Sequence, residues 1–335
     1  MGKVGYLIKR IAKMDKKAML RKTSEIHKKT GKSRVVLFFD MIKCGRKYGA
    51  GYMDYDLYEM YNLTPEQRDT YLTRGRNNDI DKNFNNKEYK WKLERKDQFN
   101  TNYNKYLKRD WVNVSGDNKE EVIEFLKKHE DFLAKPINGS CGKNIEKIHT
   151  ADYKDLDELY DHLVGKEFEL EEIIIQHPEV SKIYPNSINT VRVVTLFKNG
   201  QAHVMATYFR IGNNGKFVDN FNSGGMVAPV NEETGEVMQS AIDKNKNLYD
   251  VHPATGTKIK GFKFPDWDKM LEMVQEAAKI IPEMGYVGWD VAFTPNGPVL
   301  VEANDFPGHD IYQLPEHTPD KIGIYPKFRK IIESD

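Results

Sequence analysis

The chain has 335 residues, 39% hydrophobic and 30% charged, and its 51 basic and 50 acidic side chains leave a formal net charge of +1. That is enough apolar material for a full core in one to three compact units, and too little net charge for a disordered chain or a dedicated nucleic-acid binder. Two cysteines, Cys44 and Cys141, stand outside any CxxC or Cys/His spacing, which excludes a disulfide framework and a zinc finger and points to the reducing cytoplasm.

No apolar run approaches the roughly 20 residues of a membrane span, and the N-terminus lacks the apolar stretch of a signal peptide. Residues 1–34 carry Lys and Arg throughout, opposed only by Asp15 and Glu25, while Val4, Leu7, Ile8, Ile11 and Met14 recur at helical spacing. Such a helix either packs on its own domain or lies on an anionic membrane surface. Residues 1–94 read as a mostly helical N-terminal region, with a helix start at Thr64, Pro65 and Glu66. The polar stretch RGRNNDIDKNFNNKEYKWK reads as a boundary, which puts the division near residue 94.

Beyond it, KDQFNTNYNKYLKRDWVNV predicts a helix and a strand. NKEEVIEFLKKHEDFLAKP predicts a helix with apolar Val122, Ile123, Phe125 and Leu126, then a strand ending at Lys135. FELEEIII is strand-like, and TVRVVTLFKNGQAHVMATYFRIG reads as two strands joined at the Asn199 and Gly200 turn signal. The helix PDWDKMLEMVQEAAKII precedes two last strands, YVGWDVAF and PVLVEAN. Hairpins without repeating βαβ units favour an α+β layout over a doubly wound sheet.

The last pair carries chemistry. In GYVGWDVAFTPNGPVLVEANDFPG a turn centred on Asn296 sets Phe293 against Val299, Ala292 against Leu300 and Asp290 against Glu302. Alternation then gathers Asp290, Ala292, Leu300, Glu302 and Asn304 on one face and leaves Val291, Phe293, Val299, Val301 and Ala303 for the core. Two carboxylates and an amide so placed suit a hard cation such as Mg²⁺, or Mn²⁺, completed by substrate phosphates. The alternative is a solvated acidic face, and a turn slipped by one residue separates the acids.

These residues resemble the ATP-grasp superfamily. GWDVAFTPNGPVLVEANDFPG is similar to its metal hairpin, FLAKPINGSCGKNI to its lysine-bearing strand and glycine loop, ELEEIII to its adenine-side hinge, and FRIGNNGKFVDNFNSGG to its Arg…Asn…Gly-Gly segment. QHPEVSKIYPNSINTVRVVT and VDNFNSGGM most resemble the sugar-transfer-associated ATP-grasp family of polysaccharide biosynthesis clusters.

The resemblance implies a fold of two α+β lobes clasping ATP over residues 95–335, with the glycine-loop lobe at 95–176 and the metal lobe at 177–335. It implies Lys96, Lys135, Gly139, Ser140 and Gly142 at the phosphates, and Glu171, Glu172, Ile173 and Ile174 at adenine and ribose. It further implies Arg192 at the phosphates, Arg210 at the acyl phosphate, Asn220, Ser223, Gly224 and Gly225 by the reacting carboxylate, and Asp290, Glu302 and Asn304 as metal ligands. A solvated surface lysine stays open for Lys96, plain strand residues for Glu171, and salt bridges to Asp290 or Glu302 for Arg192 and Arg210.

The implied activity is ATP-dependent ligation of a small-molecule or glycan-linked carboxylate to an amine such as an amino acid, through an acyl phosphate. A kinase that stops at the phosphorylated product, and a nucleotide-binding scaffold at the membrane surface, are the alternatives. The expected setting is the cytoplasm, with peripheral membrane contact through the basic N-terminal helix.

Overall fold

The computed structural model describes residues 15–139, 144–213, 215, 221 and 224–334. The amphipathic helix expected over residues 4–14 lies outside them, as do Ser140, Cys141, Gly142, Asn220 and Ser223. Among the described residues, no helix is long and apolar enough to cross a membrane. The chain divides into two compact units, one drawn from Met1–Asn83 with Gly308–Asp335 and the other Phe84–Pro307. The C-terminal tail thus groups with the N-terminal helices, which a single cut near residue 94 does not capture.

The first unit is helical. In α1 (Lys16–Thr30) the Asp15 side chain caps the first turn by accepting from the Ala18 amide, Gly31 closes the last turn, and Met19, Thr23 and Ile26 recur on the buried face. Helix α2 (Arg34–Tyr48), α3 (Tyr52–Leu57) and α4 (Pro65–Asp69) follow, α4 starting at the expected Thr64 through a capping box with Gln67. Their core is rich in tyrosine rings, among them Tyr48, Tyr55, Tyr58 and Tyr71. Asp54 ties the tail to these helices. One of its oxygens meets His309 Nε2 at 3.0 Å, and the other accepts from the backbone amides of Gly51 and Arg74.

The stretch expected to be a boundary holds the division between the units and is itself largely ordered: α5 (Arg74–Phe84), a 3-10 turn at Lys87–Tyr89 and α6 (Trp91–Glu94). Its burial is sparse, with Gly75, Asn77 and Ile80 inside in α5, so no apolar stripe advertises the helix. Asn85 replaces apolar packing with hydrogen bonds. Its amide donates to the carbonyls of Tyr286 and Asp305 and accepts from the Tyr286 amide.

The second unit holds two wholly antiparallel sheets. After α7 (Lys96–Leu107), the first sheet comprises β1 (Trp111–Asn113), β2 (Asp131–Pro136), β3 (Glu146–His149) and β4 (Phe168–Glu172), in the order β1-β4-β2-β3. One face packs Val112, Phe132, Ala134, Phe168 and Leu170 against Val122, Phe125 and Leu126 of α8 (Lys119–Lys128) and Leu159 and Leu163 of α9 (Leu156–Leu163). That leaves the other face, with Leu133, Lys135, Glu169 and Glu171, free of helices α8 and α9.

The second sheet comprises β5 (Thr190–Lys198), β6 (Gln201–Ile211), β7 (Met226–Pro229), β8 (Ala241–Asp243), β9 (Leu248–Tyr249), β10 (Tyr286–Thr294) and β11 (Gly297–Asn304), in the order β11-β10-β5-β6-β7-β8-β9. Strands β5 and β6 form the expected hairpin. Asn199 and Gly200 both take positive φ, 51° and 76°, as a two-residue primed turn requires. Strands β7, β8 and β9 extend one edge, and β10 with β11 forms the other. Beneath it, Phe99, Tyr103 and Leu107 of α7 and Met270, Val274 and Ala277 of the helix Trp267–Ala277 join Val191, Val193, Phe209, Trp289, Val291 and Phe293 in the main core. The helix Pro178–Ile183, whose first turn is capped by the His177 ring, was not foreseen.

Candidate active-site cleft

The β10–β11 hairpin brings Asp290 and Glu302 opposite one another by a route other than the expected one. The turn is a residue tighter, pairing Thr294 with Gly297, Phe293 with Pro298 and Ala292 with Val299. A regular ladder from that turn would set Asp290 against Val301. A bulge in the ladder between Asp290 and Val291 absorbs one extra residue and restores Asp290 to Glu302, Trp289 to Ala303 and Gly288 to Asn304. Leu300 and Val299 therefore exchange faces relative to the expectation. Leu300 pairs with Val291 and joins the core, and Val299 goes with Ala292.

On its other side Asp290 pairs with Arg192 of β5. Arg192 donates through Nε to Oδ1 and through Nη2 to Oδ2, the latter at 2.9 Å, and Arg210 of β6 donates through Nη1 to Oδ2. Gly288 makes room for this, since a Cβ there would sit 3.2 Å from Arg192 Cδ and from the Pro307 ring. Burial pushes the Asp290 carboxyl up, but the two guanidiniums outweigh it and hold it well below the usual carboxylate range. Glu302 moves the other way. Surrounded by protein yet open to solvent on one side, as on a cleft wall, its carboxyl is pushed up to about 7 by burial and then by the Asp290 charge.

The helix-free face of the first sheet supplies cations. Lys135 Nζ lies 2.7 Å from Glu171, and Arg109, just past α7, donates through Nε to the same carboxylate oxygen at 2.6 Å. Arg109 also donates through Nη1 to the Leu300 carbonyl at 2.7 Å, so one guanidinium links the two sheets. Glu171 is buried, which by itself raises its carboxyl, and the two cations overcome that and hold it low. Lys96, the first residue of α7, donates to the carbonyls of Pro136 (2.8 Å) and Gly139 (3.0 Å), at the root of the glycine loop. Burial lowers the Lys96 ammonium, as does Lys135, while Glu302, Glu169 and Glu171 oppose the fall. Through Arg109, which reaches both Glu171 and the Leu300 carbonyl, the Lys135 face lies beside the Asp290–Glu302 hairpin.

Not every expected residue joins it. Glu172 points to the opposite face, where its Oε2 accepts from the Asp110 amide at 3.0 Å and clusters with Asp110 and His129. Ile173 and Ile174 lie half-buried just beyond the end of β4. Gly224 takes φ 104° in a turn and Gly225 is buried immediately before β7. Gly139 is exposed.

Asp290, Glu302 and Asn304 fit a divalent cation. Of about four lone-pair directions on the Asp290 carboxylate, the arginine contacts described above take three, leaving Oδ1 room for one more partner. The Asn304 amide nitrogen is buried without a partner among the described residues, a donor that a phosphate oxygen would satisfy, while its amide oxygen is the end a cation would take. A protonated Glu302 hydrogen-bonds Asp290, and a cation held by the two acids would take the place of that proton.

A sequence model of the sugar-transfer associated ATP-grasp family matches residues 76–322. The chain belongs to this family. Its two sheets are the lobes of an ATP-grasp fold, and the helical region precedes them. No curated protein sequence matches this ATP-grasp chain. Among solved structures it is similar to an N5-carboxyaminoimidazole ribonucleotide synthetase in complex with ADP, at 13% identity over 65% of this chain and 46% of that one, TM-score 0.41. It is also similar to the ATP-grasp ligase PsnB with minimal precursor, Mg and ADP (14%, 67% and 54%, TM-score 0.38). A third similar structure is D-alanyl-alanine synthetase A from Vibrio cholerae O1 biovar eltor str. N16961 (12%, 71% and 62%, TM-score 0.42). The chain spans about half the length of the first solved structures it matches.

Two residues of this ATP-grasp cleft escaped the sequence reading. Arg109 stands in a polar run, LKRDW, where nothing separates it from surface lysines. Glu169 could have been found, because an acid between Phe168 and Leu170 in a strand interrupts an otherwise apolar pattern.

Proposed function

We propose that the chain is an ATP- and Mg²⁺-dependent carboxylate–amine ligase, and that its substrate is a carboxylate on a cell-surface glycan precursor, handled in the cytoplasm. The observation that carries this reading is that Arg109 ties the Lys135–Glu171 pair of the first sheet to the Leu300 carbonyl, two residues before Glu302 in the strand that sets Glu302 opposite Asp290. A polyphosphate held by Lys135 and Lys96 would be repelled by these acids unless a divalent cation held by the acids offset the charge. Bound there by Glu302, Asp290 and Asn304, Mg²⁺ would neutralise phosphate charge.

The chain's own residues then have defined tasks. Lys135 and Lys96 hold phosphate oxygens as point charges. Arg192 and Arg210 lie on the same sheet face as the acids and offset negative charge as the γ-phosphoryl passes to the substrate carboxylate. The transfer breaks the bond between the γ-phosphorus and its bridging oxygen and forms a carboxyl–phosphate anhydride. The amine attacks that carbonyl carbon, the carbon–oxygen bond to phosphate breaks, and phosphate leaves as the amine sheds a proton. The family's association with sugar transfer supports a glycan-linked acceptor.

Incubation with ATP, Mg²⁺, a glycan-linked carboxylate and an amino acid is expected to yield ADP and phosphate in step with amide. AMP and pyrophosphate as products would reject the scheme. A stable phosphorylated product formed without amine would replace the ligase by a kinase.

A further inference from the structure

Glu169 of β4 is fully buried, and neither of its carboxyl oxygens accepts a hydrogen bond from any described residue. The one acceptor near a protonated Glu169 is the Glu171 carboxylate, already held by Lys135 and Arg109, and with two buried oxygens to match, Glu169 still calls for a partner that the free chain lacks. Its position says which partner. Glu169 pairs across the strands with Lys135, one residue before Pro136, where the chain turns into the glycine loop. Glu171 pairs with Leu133, two residues farther from that loop. Along this wall Glu169 is therefore the acid at the phosphate end.

We propose that Glu169 is a further nucleotide-binding residue acting in its neutral form, its carboxyl O–H donating to a phosphate oxygen held beside the Lys135 ammonium. This rests on the reading that the cleft binds ATP. The charged groups facing Glu169 are Lys135 of β2, Glu171 of β4, Arg109 after α7 and Lys96 of α7. With Glu169 neutral, three cations face one anion, a wall suited to a triphosphate. With it ionised, a bare carboxylate stands where phosphate must go, and repulsion in a buried site is strong. Burial first, and then the neighbouring Glu171 carboxylate, push Glu169 up to about 9, so the neutral donor is the prevailing form at neutral pH. A glutamine would supply the same donor without the titration, and a leucine would not.

The test is calorimetric binding of a non-hydrolysable ATP analogue with Mg²⁺ at pH 7.5 and 9.5, for wild type, Glu169→Gln and Glu169→Leu. If only neutral Glu169 binds, wild-type affinity falls about fourfold between those pH values, beyond any change shared with Glu169→Gln through titration of Lys96. Glu169→Gln is expected to match wild type within about twofold at pH 7.5 and to lack that fall. Glu169→Leu is expected to bind at least about tenfold more weakly at pH 7.5. Wild type, measured in two buffers of different ionisation enthalpy at pH 9, takes up protons on binding, and Glu169→Gln takes up fewer. The same fourfold fall in Glu169→Gln, or wild-type affinity in Glu169→Leu, overturns the proposal while leaving the ligase reading intact. Absence of binding by wild type at either pH overturns both. Should Glu169→Leu fail to fold, the glutamine pH profile decides alone.

Discussion

Arg192 and Asp290 face each other across β5 and β10, and one guanidinium takes both oxygens of a carboxylate that is 2% exposed. In the free chain this arrangement, with Arg210 added, satisfies a charge that would otherwise be costly to bury. Arg192→Leu leaves Asp290 with Arg210 alone. Loss of one partner from a buried pair costs about 3–5 kcal/mol, and the remaining arginine puts the expected loss at the lower end. Urea unfolding at pH 7.5 measures it. The double variant Arg192→Leu/Asp290→Asn should be less destabilised than the two single losses summed, because the orphaned charge has gone. Additivity would mean that the pair is not coupled.

Glu302 gives a pH dependence of opposite sign to that of Asp290. Its carboxyl ionises near 4.5 when unprotected and is held up to about 7 in the folded chain, by burial and then by Asp290. Between those values the folded state binds more protons than the unfolded state, so this group's contribution to stability falls as pH rises from about 4.5 to about 7 and stays lost above. Glu302→Gln removes the effect. Because solvent reaches Glu302 and screens part of the shift, the variant's Tm without Mg²⁺ should gain on wild type by only about 1–3 °C between pH 5 and 8, while Mg²⁺-dependent ADP formation drops at least about a hundredfold. Parallel Tm curves for the two proteins across that range would contradict the assignment.

Lys135 is held by Glu171 at 2.7 Å in a buried triad completed by Arg109. A nucleotide phosphate must share that ammonium, so Lys135→Met should raise the KM for ATP by about ten- to a hundredfold, the loss of one charge-assisted contact or slightly more. Lys135→Arg is expected to give little rescue, because a planar fork does not replace a compact point charge between two strands. Steady-state kinetics in ATP, at saturating Mg²⁺, separate this from a fall in kcat alone.

How much was legible follows from where each signal resides. The β5–β6 hairpin and strands β10 and β11 were readable because Asn199–Gly200 and the alternating apolar runs are local and strong. Residues 74–94 do contain the division between the units, at Asn83 and Phe84, but the helices there went unread because their burial rests on Gly75, Asn77 and Asn85, which leave no apolar period. The roles of Glu171 and Glu172 could not be separated by sequence. They differ by one residue in register, and only the pairing with Leu133 and Phe132 sends them to opposite faces. The opposition of Asp290 and Glu302 was reached through two compensating differences, a tighter turn and an extra residue at the bulge.

That compensation can be tested. Leu300 faces the core with Val291, Val301 is the residue accommodated by the bulge, and Glu302 then faces the cleft. Deleting Val301 leaves Leu300 and Glu302 consecutive, so simple alternation sends one to the core and the other to the cleft, still opposite Asp290. Inserting one alanine after Val301 instead moves Glu302 to the slot of Ala303, against Trp289 and the core. The deletion variant is therefore expected to keep measurable Mg²⁺-dependent ADP formation, within about one to two orders of magnitude of wild type if the acids are placed to stabilise the transferring phosphoryl. The insertion variant should show none, and should unfold at lower urea because it buries an unpaired carboxylate. Equal activity in the two variants would separate catalysis from the facing of Asp290 and Glu302, and would remove the hairpin from the active site.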